Sequence, residues 1–287
     1  MKHLFKLALT VITLFYSINH QAQTKSTALE NTLLWEISGN GLTSPSYVYG
    51  TIHMICATDY FLSEKVKNAF QSSKKLVLEI DMTDPTELAA MQSMMAAKEP
   101  LDKALNAKQF SKLDEILKKT EGLSIEQLNS YSLSAVMSIL SMKSFGCADL
   151  KFYEMEFVAD AKKRNMEIAG LEKIKSQLST IEKAYTTDEM LSMLAELSIA
   201  ETTASVNFYK EENIEMLYSQ MIDEKLMNKK TKYEMLDKRN REWVTKLPTL
   251  MQKESCFIAV GAAHLAGENG VLHLLKKAGY RVRPLLN

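Results

Sequence analysis

The decisive stretch is Tyr47-Val48-Tyr49-Gly50-Thr51-Ile52-His53, which has a counterpart far downstream in Phe257-Ile258-Ala259-Val260-Gly261-Ala262-Ala263-His264. Each opens with a short apolar or aromatic run that predicts a buried strand, and each breaks at Gly-x-x-His. Glycine at the break permits a sharp turn or the close approach of another group to the backbone. The histidine then falls just past the strand's carboxyl end, where open α/β sheets place their ligands. A single Gly-x-x-His carries almost no information. Two, each following a strand, make His53 and His264 candidates for one site.

The N-terminus makes that pairing less accidental. Met1 to Lys6 is a short basic start, Leu7 to Ile18 an apolar run, and Asn19 to Gln23 polar. This reads as an export signal over residues 1–22, cleaved after Ala22, which places the protein in a periplasm or outside the cell. The run is too short for a comfortable membrane span, and no cysteine follows it, so no membrane anchor is expected after cleavage. The alternative is an uncleaved anchor helix. The chain has 35 basic and 35 acidic residues. Cleavage removes Lys2 and Lys6, leaving a slightly acidic chain with no basic stripe for nucleic acid. His3 and His20 leave as well, so His53, His264 and His273 remain, and two of those three sit in the motifs.

Around the motifs the pattern predicts a strand over 32–37, a tight turn at Ser38-Gly39-Asn40-Gly41, and a hairpin with the Tyr47–Gly50 strand. A helix follows over 59–72. Lys75-Leu76-Val77-Leu78-Glu79-Ile80-Asp81 is a continuous apolar run, the signature of a parallel strand covered on both faces. A carboxylate at the end of such a strand is unfavourable unless it is paired or binds a metal, which singles out Glu79. The plainer alternative is a solvated carboxylate at the strand's exit. Asp81 is expected to begin the next turn.

The middle of the chain is different. Of ten glycines, only Gly122, Gly146 and Gly170 lie between residues 51 and 260. Helices are predicted over 85–97, 107–119 and 131–145, with Met91, Met94 and Met95 as helix packing rather than a cofactor box. A helix over 152–164 and a strand over 166–170 follow, and Leu171-Glu172 is expected to open another helix. Glu154 and Glu172 flank that unit as candidates to face a central cleft. Residues 184–250 read as two or three long helices, ending near Pro248. Within them, periodicity makes Asp237-Lys238-Arg239-Asn240-Arg241 a solvated helix face. A helix over 268–278, capped by Gly279, and a strand over 280–284 close the chain. His273, among leucines, is expected to be structural. Cys256 is expected as a buried thiol, and Cys56 and Cys147 form the candidate disulfide in an exported protein.

Two neutral imidazoles and a carboxylate are a normal ligand set for a divalent ion with open positions. Zinc, manganese, cobalt and iron all fit. Such an ion would lower the pKa of a bound water and polarise a carbonyl. Glu79 suits either ligand or general base, and the sequence does not separate the two. Arg239 is a candidate to stabilise an oxyanion or grip a substrate carboxylate. There is no HExxH helix and no Gly-x-Ser-x-Gly elbow.

From Leu33 onward the chain resembles the TraB/GumN family, related to the Tiki metalloproteases and more distantly to erythromycin esterase and the ChaN haem-binding proteins. The resemblance rests on Gly50-Thr51-Ile52-His53, the Glu79 strand, Gly170-Leu171-Glu172 with Gln177, Arg239-Asn240, and Val260 to Leu265 through Gly270. It implies a helix-rich α/β fold: a central mixed or mostly parallel sheet carrying both motifs, flanked by helices. Residues 23–287 would be one domain with helical portions at about 84–150 and 184–250. The Tiki branch implies a metal-dependent protease holding Mn, Co or Zn through His53, His264 and Glu79, with Arg239 and Glu172 in support. The expectation is therefore an exported metal-dependent hydrolase acting on a peptide or protein. A binding protein that sequesters a peptide or haem-like ligand is the alternative. A helical interaction protein, with Glu79 exposed and far from both histidines, is a third reading. Oligomeric state is left open.

Overall fold

In a computed structural model that describes residues 29–286, the two motif strands are direct neighbours. The predicted export signal lies outside the described residues. Among the described residues there are eight strands: β1 (Leu34–Ser38), β2 (Ser46–Thr51), β3 (Met54–Cys56), β4 (Lys75–Ile80), β5 (Leu150–Phe152), β6 (Glu167–Glu172), β7 (Cys256–Gly261) and β8 (Arg281–Pro284). Six form one sheet in the order β6-β4-β7-β2-β1-β8, while β3 and β5 pair by themselves. Strands β6, β4, β7 and β2 run parallel, and β1 joins β2 and β8 antiparallel. The helix-rich α/β fold with a mixed, mostly parallel sheet is as the sequence implies. β4 and β7 are buried along their whole length, which explains their unbroken apolar sequences.

Register brings the chemistry to one edge. Thr51 pairs with Gly261 across β2 and β7, Leu78 with Ala259 across β4 and β7, and Ile80 with Glu172 across β4 and β6. Thr51, Glu79, Glu172 and Gly261 therefore all emerge at the carboxyl ends of adjacent parallel strands, the usual ligand edge of such sheets. The motif glycines serve close approach rather than a turn. A Cβ on Gly50 would lie 2.9 Å from Leu265 Cδ1 and 3.0 Å from the Ala262 Cα, so only glycine lets the two motifs pack together. The sharp turn falls instead on His53, in the left-handed region at φ 62°. Histidine enters that region more readily than most residues, and such strain concentrates at functional positions. The backbone there is held by a hydrogen bond from Tyr153 N–H to the His53 carbonyl, 2.8 Å.

The core falls into a large cluster around the sheet and a smaller one confined to helices. The first includes Trp35, Val48, Leu76, Phe257 and Trp243. The second gathers Leu101, Leu113, Leu117, Val136 and Leu191 from the helical middle.

Several expectations are corrected. β6 runs through Glu172, and the next helix begins at Ile174, so Glu172 ends a strand rather than opening a helix. Its pairing with Ile80 of β4 outweighs the local helical preference. The two or three long helices expected over 184–250 are broken into five α-helices and a π-helical turn, running on to Lys253 past Pro248. Thr186, Ser198, Asn213 and Asn228 cap four of the breaks, each accepting a hydrogen bond from a backbone N–H in the following turn. Met91 and Met94 of the Pro85–Met95 helix are half-buried, in keeping with helix packing, while Met95 is exposed; the helix is anchored by buried Glu87, which accepts the Ile174 N–H at 2.7 Å. His273 is exposed, because its helix turns Leu272 and Leu275 inward. The Asp237–Arg241 run is no solvated face, since Arg239 and Asn240 are buried. Cys56 and Cys147 are disulfide-bonded, and Cys256 is a buried free thiol.

Candidate active site

A cavity of about 600 Å³ opens over the carboxyl ends of β2, β7 and β4. His53, Glu79, Arg239 and His264 line it, together with Thr51, Gln177 and Gly261. Glu154 and Glu172, the other two candidates, stand behind that lining and reach it through hydrogen bonds. Glu79 is buried and 3.9 Å from His53 Nε2, which rules out the scaffold reading in which it stands exposed and remote.

Arg239 is the hub. Its Nε donates to Glu172 Oε1 at 3.1 Å, and its Nη2 donates to Glu172 Oε1 at 2.5 Å and Glu79 Oε2 at 2.6 Å. Its Nη1 donates to the Met235 carbonyl at 3.0 Å and to His264 Nε2 at 3.1 Å. A guanidinium has five N–H donors, and here every nitrogen is engaged. In this arrangement Arg239 acts through its neighbours and has no donor to spare for an oxyanion. The residue reaches the site because the helix carrying it is preceded by a π-helical turn over Tyr233–Lys238, which breaks the α-helical register just before Arg239.

The two histidines are set in opposite electrostatic states. Arginine can only donate, so His264 Nε2 must accept, and its Nδ1–H donates to Asn240 Oδ1 at 2.6 Å. Burial, with the Arg239 charge added, holds this imidazole down to about 3, so it is neutral. His53 donates from Nδ1 to Glu154 Oε1 at 2.8 Å, and the same oxygen accepts the Thr51 hydroxyl at 2.6 Å. Desolvation opposes its charge, but Glu154 outweighs it and raises the ring to about 9. Its Nε2 is left facing Glu79.

The two carboxylates on Arg239 also diverge. Burial alone would push Glu79 up, but Arg239, the histidines and the Gly261 N–H (2.9 Å to Oε1) hold it down to about 2. Burial raises Glu172 despite the same guanidinium. Glu79 is thus the fixed anion and Glu172 the softer partner.

Gly261 leaves space at the centre. A Cβ there would lie 2.9 Å from His53 Nε2 and 3.5 Å from Glu79 Oε1. The gap between that nitrogen and that oxygen is a cradle of the donor type that borderline divalent ions accept. Among the described residues, no group of three or more His, Cys, Asp and Glu side chains converges as a ready-made metal cluster, because His264 Nε2 is turned to Arg239.

With the geometry in place, comparison identifies the kin. The TraB/PrgY/gumN family matches residues 33–284, nearly all of the described chain. The chain belongs to this family. Among similar proteins, Metalloprotease TIKI1 of Danio rerio is 23% identical over 314 residues, covering 88% of this chain and 63% of its own length. The Metalloprotease TIKI homolog of Nematostella vectensis is 22% identical, covering 88% and 66%. Metalloprotease TIKI1 of Homo sapiens is also 22% identical, covering 88% and 61%. The chain thus spans less than two thirds of these relatives. No solved structure matches it. No helix among the described residues is long and apolar enough to cross a membrane.

In this TraB/PrgY/gumN member, one site residue escaped the sequence reading. Trp243 is buried, stacks on the His264 ring with centroids 4.4 Å apart, and carries the Arg239 guanidinium 4.8 Å above its own ring. It fixes both partners from one side. The available signal was spacing: Trp243 is four residues after Arg239 and three after Asn240, so all three share a helix face.

Proposed function

We propose that this protein is an exported, metal-dependent hydrolase that cleaves peptide bonds, with residues 1–22 removed and the remainder acting as one domain. The observation that carries this reading is the cradle between His53 Nε2 and Glu79 Oε1, kept open by Gly261 at the floor of a deep cavity. The names of the TIKI relatives support the same direction. His53 and Glu79 would hold a Mn, Co or Zn ion, and His264 would join them in exchange for its hydrogen bond to Arg239. A divalent ion bound there would supply an acidified water and polarise a peptide carbonyl.

The chain's own residues account for the rest. Glu154 fixes the His53 ring through Nδ1, presenting Nε2 to the cavity, and Asn240 does the same for His264. Arg239 and the Gly261 N–H keep Glu79 ionised and immobile, which favours the ligand role over that of general base. Glu172, raised by burial, is held in place by Arg239 and Gln177 and in turn fixes the guanidinium that grips Glu79.

The test is metal content and affinity of the wild-type protein beside His53→Ala and Gly261→Ala, with circular dichroism on each. One equivalent of Mn, Co or Zn in the wild type, lost in both variants while they remain folded, is the expected result. A wild type that takes up none of these ions would overturn the reading. So would a Gly261→Ala variant that binds as well as the wild type.

A further inference from the structure

The cavity is far larger than the cradle at its floor needs, and its other walls have a different chemistry. They come from the Leu133–Lys143 helix and its exit, the Ile174–Ala184 helix, the end of the Thr187–Glu196 helix, the Ile199–Lys210 and Ile214–Met221 helices, the loop after them, and the Tyr233–Lys238 π-helical turn. Phe145, Ile181, Leu217, Leu226, Met227 and Met235 give these walls a predominantly apolar surface. Thioether side chains adapt to irregular shapes, so such a wall accepts several bulky apolar groups rather than one. Charge appears as Glu196, Glu201 and Asp223, against the single cation Lys225. Met221 is 44% exposed in the same lining, an apolar side chain held in water where the cavity opens.

We infer that this helical wall is a specificity pocket for peptide segments that carry bulky apolar side chains (Leu, Met or Phe) beside the bond presented to the cradle, and that it disfavours acidic segments. The inference rests on the hydrolase reading above, but the pocket's preference is a binding property in its own right. At roughly 600 Å³ the cavity is of the size that encloses a side chain together with its flanking backbone. An aspartate in that position would be desolvated against apolar walls, with Glu196, Glu201 and Asp223 outnumbering Lys225 among the exposed charges of the lining. A leucine would exchange water for contact on all sides. Discrimination by an apolar pocket of this kind is about ten- to a hundredfold.

The experiment uses fluorescein-labelled decapeptides of one scaffold with Leu, Met, Phe, Ser or Asp at the central position. Binding is followed by anisotropy in EDTA, and cleavage by mass spectrometry after Mn, Co or Zn is restored. Wild-type protein is expected to bind the Leu, Met and Phe peptides about tenfold or more tighter than the Asp peptide. The Met221→Glu/Leu226→Glu double variant should lose that preference, and Met221→Glu alone, at an exposed position, should weaken it without loss of fold. Equal binding of all five peptides overturns the pocket, as does a preference that survives in both variants. Apolar preference in binding without cleavage under any metal upholds the pocket and overturns the hydrolase reading. Cleavage with no preference does the reverse.

Discussion

The two sides of the cavity are built on opposite plans. The strand-end wall is crowded: glycines where a methyl would collide, a histidine in left-handed backbone, and an arginine with every nitrogen engaged. The helical wall is apolar, assembled from short capped helices, and stands partly in water. Over-determined geometry fixes tautomers and side-chain positions, as the proposed ion site would require. Adaptable apolar surface suits a face that must accept many sequences. The difference teaches that position is invested in the sheet edge and tolerance in the helices.

One covalent bond ties the two plans together. Cys56 ends β3, three residues after His53, and Cys147 follows the Leu133–Lys143 helix, 91 residues away in sequence. Breaking it should give the largest effect. A Cys56→Ser/Cys147→Ser variant is expected to lose about 4–5 kcal/mol in urea denaturation, the chain-entropy value for a loop of that length. A loss below about 1 kcal/mol would mean that packing alone holds the walls together. Arg239→Met comes next. It leaves Glu79 and Glu172 buried without their common cation, which is expected to cost about 3–5 kcal/mol. Calorimetry on Met235→Ala beside it sharpens the contrast, because a half-buried residue of the helical wall should cost far less. Equal losses from the two would erase the distinction between the walls.

Much of this was legible before any coordinates. The Gly-x-x-His pair and the both-sides-buried β4 follow from local pattern, which is what period and turn chemistry encode; the Cys56–Cys147 pairing, 91 residues apart, was legible only as a candidate suggested by export. Glu172 was legible as a candidate but not as a strand end, since its place depends on pairing with Ile80 of β4. Arg239 looked solvated because its run is polar, and polarity cannot tell a buried ion network from a wet helix face. The π-helical turn that swings it inward has no composition signal of its own. Trp243 was missed for the complementary reason: a buried tryptophan is expected in any core, and only its stacking on His264 marks it. Met91 and Met94 are half-buried and Met95 is exposed, a gradation set by which helices lie alongside, which no one-dimensional pattern shows.

The smallest effect separates the walls by pH. His264 is held to about 3 in the folded state against about 6.5 unfolded, so protonation favours the unfolded chain. Stability from this group is intact above pH 6.5 and falls away as pH drops from 6.5 toward 3. His53, raised to about 9, works in the other direction: its contribution is present below pH 6.5 and fades between 6.5 and 9. Glu79, held to about 2, adds an acid limb that begins only below about 4.5. Between pH 6.5 and 4.5 the His264 limb is expected to cost the metal-free protein on the order of 2 kcal/mol, with Glu172, raised by burial, acting in the opposite direction. Urea titrations of the protein in EDTA at pH 6.5, 5.5 and 4.5, beside His264→Asn, measure it. The variant should flatten that slope, whereas Met221→Glu should leave it as it is, because Met221 is exposed and outside the buried ion network. A wild-type slope that survives in His264→Asn would place the acid sensitivity elsewhere and break the assignment of strain and charge to the sheet edge.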